Sequence, residues 1–65
     1  MWIKGKKKLL NLNAVTTIEY DEKKNRTIAK AGEYTFILSE GDKMERVLKA
    51  IKKYRYNDII DKDDL

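Results

Sequence analysis

Glu33-Tyr34-Thr35-Phe36-Ile37-Leu38-Ser39 runs directly into Glu40-Gly41-Asp42-Lys43-Met44-Glu45-Arg46-Val47-Leu48-Lys49-Ala50-Ile51. Across that junction the spacing of apolar residues changes from two to about 3.6. Before it, Tyr34, Phe36 and Leu38 alternate with Thr35 and Ile37, the pattern of a half-buried strand. After it, Met44, Val47, Leu48 and Ile51 fall on one helical stripe that Tyr54 extends by a turn, which predicts a helix over 41–54. Ser39 and Asp42 have the spacing of a capping box. Glu40, Asp42 and Glu45 place negative charge at the positive end of the helix dipole, and Lys49, Lys52, Lys53 and Arg55 load the other end. A strand followed at once by an amphipathic helix makes the expected fold class α+β.

Working back from Glu33, Ala31-Gly32 reads as a reversal, with Gly32 suited to a left-handed turn position, and Arg26 to Lys30 as the strand that precedes it. Asp21 to Asn25 is a charged hairpin connection in which Asn25 tolerates positive φ. Val15 to Tyr20 is rich in β-branched and aromatic residues and reads as a further strand. Trp2-Ile3-Lys4, a turn at Gly5-Lys6-Lys7 and Lys8 to Leu12 complete the pattern, with Asn13-Ala14 breaking the alternation. The reading is a small antiparallel β-meander of four to five short strands over 1–38, packed by its Leu, Ile and Phe face against one C-terminal helix.

Residues 56–65 form an acidic tail with three readings: docking on a second subunit, a local tuck across the domain, or a frayed end. Adjacent Ile59 and Ile60 raise the question, because both are apolar and flanked by acids.

A chain of 65 residues allows a single domain, and one this short removes only about 60% of its unfolded surface on folding. It has no Cys, His or Pro. The usual zinc, haem, iron–sulfur and thiol sites are therefore closed, as are imidazole bases and disulfide staples, so no cofactor and no metal is expected. Asp61, Asp63 and Asp64 are clustered but lack the glycine and distal glutamate of a calcium loop. Glu33, Tyr34, Thr35 and Ser39 form no nucleophile–base pair, and Gly5, Gly32 and Gly41 form no phosphate-cradling loop, so the chain is read as a non-enzyme. The longest apolar run is Phe36-Ile37-Leu38, which leaves no membrane span and no signal-peptide centre; the expected location is cytoplasmic.

The net charge of +4 is unevenly placed: +4 over residues 1–8, zero over 9–39, +3 over 40–56 and −3 over 57–65. Two basic sets follow, Lys4, Lys6, Lys7 and Lys8 on the first hairpin and Arg46, Lys49 and Lys53 on the helix. Either set suits phosphate contact in a nucleic-acid-binding accessory protein; either also suits a solvated face or a guarded strand edge. Lys outnumbers Arg twelve to three, which disfavours bidentate base recognition.

A domain this small, without staples, predicts a homo-oligomer, in the simplest case a dimer. Six aromatics exceed what so small a core holds, so the surplus points to an interface with a protein partner. The candidates are Trp2, Tyr34, Tyr54, Tyr56, Ile59 and Ile60.

The run Lys8-Leu9-Leu10-Asn11-Leu12-Asn13-Ala14-Val15-Thr16-Thr17-Ile18, with a meander and Arg46-Val47-Leu48-Lys49-Ala50-Ile51 behind it, resembles short reading frames of phages, prophages and AT-rich bacteria. In that group a leucine-asparagine-leucine-x-x-valine-x-x-isoleucine opening precedes a β-meander and one amphipathic helix. The likeness covers residues 1–54 and brings no functional residue with it. Some phage proteins of this size inhibit host defence systems by binding a protein component, and the resemblance implies that setting. The tail after Tyr56 departs from the pattern.

Overall fold

A computed structural model describes all 65 residues. Strand β1 (Trp2–Lys4) turns at Gly5, whose N–H donates to the Lys8 carbonyl at 2.8 Å, into the antiparallel β2 (Leu9–Asn11). A 3₁₀ turn over Leu12–Ala14 follows, its start capped by the Asn11 side chain accepting from the Asn13 N–H at 3.0 Å. This turn separates the first hairpin from the next three strands. β3 (Thr17–Asp21), β4 (Arg26–Ala31) and β5 (Tyr34–Glu40) then form the antiparallel meander, with Asn25 at φ +50° and Gly32 at φ +62° in the two reversals.

The fold class is α+β, with the strands divided between two three-stranded sheets, β2-β1-β6 and β3-β4-β5. The sixth strand comes from the tail. β6 (Ile59–Asp61) pairs in parallel with β1, placing Ile60 beside Ile3, and ends in a second 3₁₀ turn over Lys62–Asp64. Of the three readings of residues 56–65, the structure shows the tuck across the domain. Its physical reason is the unfilled edge of β1, which takes one strand on each side.

Helix α1 spans Met44–Lys53 and begins three residues later than the apolar spacing predicts. The capping box at Ser39 and Asp42 does not form. Ser39 lies within β5, and Gly41 takes φ +76°, so the chain leaves the strand in a left-handed kink before the helix starts. The buried Thr27 hydroxyl supplies the tie at the helix start, donating to the Gly41 carbonyl and accepting from the Lys43 N–H, each at 2.8 Å. The Asp42 carboxylate accepts from the Met44 N–H at 3.2 Å.

Met1, Ile3, Ala29, Leu38, Val47, Ala50, Ile60 and Leu65 form one buried cluster drawn from both sheets, the helix and both ends of the chain. A bulge at Leu38, where the register shifts between Thr27 and Ile28, keeps that side chain inward. The helix presents Val47 and Ala50 to the core and leaves Leu48 and Ile51 at its edge, rotating the buried face away from the centre of the predicted stripe. Ala50 is buried beside Val47 in that cluster. No aromatic side chain is fully buried: Phe36 and Tyr54 pack against the cluster from outside, and Tyr34 and Tyr56 are exposed.

Candidate interaction surfaces

Three surfaces collect the residues singled out in the sequence. The first is the outer face of the sheet β2-β1-β6. Trp2 and Ile59 are register partners there, and alternation turns them away from buried Ile3 and Ile60. Trp2 is half-buried and Ile59 is 63% exposed. Ile60, read as an interface candidate, is instead a core residue with 4% exposure; the parallel pairing with β1 aims it inward. Lys4 lies in the same sheet, in register with Asp61.

The second surface runs along the edge of the helix. Ile51 closes two adjoining hollows: one of about 390 Å³ against Leu12, Val15 and Ile18, the other of about 270 Å³ against Met1, Tyr54 and Tyr56. Leu48, one turn earlier on the same edge, is 45% exposed, Ile51 is 42% exposed, and Tyr56 beyond the helix end is 72% exposed. Tyr54 is held against the core with the Lys53 ammonium 5.4 Å from its ring centroid. The sequence missed Leu12, Val15 and Leu48 as surface candidates. Alternation places Leu12 and Val15 in predicted strands and the helical stripe takes Leu48 toward the core; only the rotation of the helix exposes the seam between them.

The third surface lies between the β1–β2 turn and β5. Leu9, Leu10, Ala31, Tyr34 and Phe36 line a mostly apolar hollow of about 360 Å³, with Lys8 at its rim. Lys6, Lys7, Lys8 and Lys62 surround a second hollow of about 330 Å³. The two share Lys8, Thr35 and Phe36 as a common wall, and no carboxylate lines either. The Lys8 ammonium lies 5.8 Å from the Tyr34 ring centroid, and that ring is 73% exposed. The Gly5 α-carbon backs this wall closely, since a β-carbon there would stand 3.2 Å from the Phe36 ring.

Arg46, Lys49 and Lys53 are exposed on the helix and line neither hollow of the third surface, so the two predicted basic sets are separate. Lys62 joins the hairpin lysines instead, although it belongs to the stretch read as acidic. Asp61 turns its carboxylate onto the Asp63 N–H at 3.0 Å, capping the final turn. No group of three or more carboxylates converges, and no helix is long and apolar enough to cross a membrane. Comparison with protein-family models, with curated proteins and with solved structures finds no match to this chain.

Proposed function

We propose that this protein is a non-enzymatic interaction module that works by covering a surface on another protein, and that it does so as a homodimer. The observation that carries the homodimer is the seam at the helix edge, where Leu12, Val15 and Ile18 meet Ile51, with Tyr56 in the adjoining hollow and Leu48 exposed one turn earlier on the helix; the outer face with Trp2 and Ile59 stays open for the partner. Scattered single apolar residues are ordinary on a surface; apolar side chains gathered across a helix edge, a 3₁₀ turn and a strand, with Asn13, Thr16 and Thr17 between them, mark a place where copies meet. The small core supports the same reading, because association adds apolar burial that one copy lacks. The resemblance to phage and prophage reading frames supports a setting in which the covered surface belongs to a host defence protein.

The test is sedimentation equilibrium on the intact chain and on a Leu48→Asp, Ile51→Lys double variant. The expected result is a concentration-dependent dimer that the variant loses while its circular dichroism spectrum is unchanged. A wild-type chain that stays monomeric at the highest attainable concentration overturns the dimer. A photo-cross-linker placed at position 59, on the outer face of the sheet β2-β1-β6 that the dimer seam leaves open, tests the partner: a defined heterologous adduct that Trp2→Ala abolishes supports the reading, and its absence from the organism's lysate counts against it.

A further inference from the structure

We infer that the trough between the β1–β2 turn and β5 binds single-stranded nucleic acid, with Lys6, Lys7, Lys8 and Lys62 on phosphates and the Tyr34 ring under a base. The inference goes beyond the interaction module and uses a different face of the molecule, so neither stands on the other.

Two compartments of opposite chemistry share one wall. Four lysines line the basic hollow, three from the hairpin turn and one from the C-terminal turn, with no carboxylate in its lining. Asp61, Asp63 and Asp64 flank Lys62 in sequence, but none of the four lysines is in an ion pair, and positive charge so grouped attracts a polyanion, with binding driven by release of the polyanion's counterions. The neighbouring hollow is apolar and ends at Tyr34, an exposed ring carried on the longest strand and flanked by the Lys8 ammonium. Phe36, two residues along and on the same side of β5, forms the floor where the compartments meet.

An anion beside a flat apolar group is the repeating unit of a nucleotide chain. An acidic peptide has that pairing only where its sequence happens to supply it. In a duplex the base faces are already stacked on one another, so an exposed tyrosine face selects an unpaired strand. Lysines, as hydrated point charges without a planar fork, suit phosphates and leave base identity unread. The predicted site is therefore sequence-tolerant. It replaces the helix set Arg46, Lys49 and Lys53 with Lys62 and Tyr34, a combination visible only once the tail is placed beside the hairpin.

The experiment is a fluorescence-anisotropy titration of the intact protein against a short fluorescein-labelled oligodeoxythymidylate and its oligouridylate counterpart. Four phosphate contacts on a single strand predict that affinity falls about 50-fold between about 50 and 200 mM salt. Lys7→Gln and Lys62→Gln should each lower the slope of log affinity against log salt by about 0.7. Tyr34→Ala should weaken binding about tenfold and leave that slope unchanged. Lys24→Gln, on the β3–β4 turn, is the control and should change neither. All four side chains lie outside the buried core, and thermal melts of the variants verify that the fold is kept. Four results would each overturn the inference: no binding at the lowest salt, a duplex competing as well as the single strand, polyglutamate competing equally, or Tyr34→Ala binding as tightly as the parent.

Discussion

Ile3 on β1 and Ile60 on β6 stand side by side in parallel register, and both are buried. Around them the Trp2 N–H donates to the Asp58 carbonyl at 2.7 Å, and the N-terminal ammonium donates to the Tyr56 carbonyl. The last strand added to the chain thus closes over the first, and a core completed this way depends on residues from its far end.

Ile60→Ala should be severe for that reason. Deleting a buried isoleucine's outer carbons costs about 2–5 kcal/mol, comparable to the whole stability of roughly 3–5 kcal/mol that a core of this size supplies. A thermal melt followed by circular dichroism should show a largely unfolded population at room temperature. Ile59→Ala, one residue away on the outer face, should stay within about 0.5 kcal/mol of the parent as a monomer. Equal effects at the two positions would contradict the strand's orientation.

Thr27 joins β4 to the start of the helix through one buried hydroxyl that both donates and accepts. Thr27→Val keeps the shape and removes both bonds, leaving the Gly41 carbonyl and the Lys43 N–H without that partner, at a cost of about 1–3 kcal/mol. Thr27→Ser keeps the hydroxyl and loses one methyl, which costs about 1 kcal/mol. Urea denaturation should therefore rank the serine variant above the valine variant, although valine is the more apolar.

Gly41 sits at φ +76° with nothing within 4 Å of where a β-carbon would stand. Gly41→Ala should cost about 1–2 kcal/mol through backbone conformation alone. Gly32→Ala, at φ +62° and equally open, should cost about the same, and the pair should add to within about 0.5 kcal/mol in urea melts.

Lys30 and Glu19 face each other across β4 and β3 at 3.6 Å, each side chain 45% exposed. A double-mutant cycle with Lys30→Met and Glu19→Gln should return a coupling below about 1 kcal/mol, because solvent screens the pair. Most of it should disappear at about 1 M salt.

The elements themselves were legible because local physics sets them. Alternation places Tyr34, Phe36 and Leu38 on one side of β5, Asn25 and Gly32 occur where the chain needs positive φ, and the spacing of Val47 and its neighbours requires a helix. The sequence by itself thus determined the strands over the first part of the chain, the helix that follows them and the exclusion of imidazole and thiol chemistry. Only the tertiary structure decided that the first hairpin leaves the meander to form a second sheet, because an edge strand's free hydrogen-bonding groups do not specify which segment fills them. The tail fills one such edge. That single long-range pairing buries Ile60, exposes Ile59 and carries Lys62 to the hairpin lysines. Helix rotation has the same origin: Met44, Val47, Leu48 and Ile51 share a stripe, but the sheets beneath accept the narrow side with Ala50, leaving Leu48 and Ile51 at the surface. Periodicity fixes which residues share a face, while the shape of the opposing surface fixes how far round that face is covered.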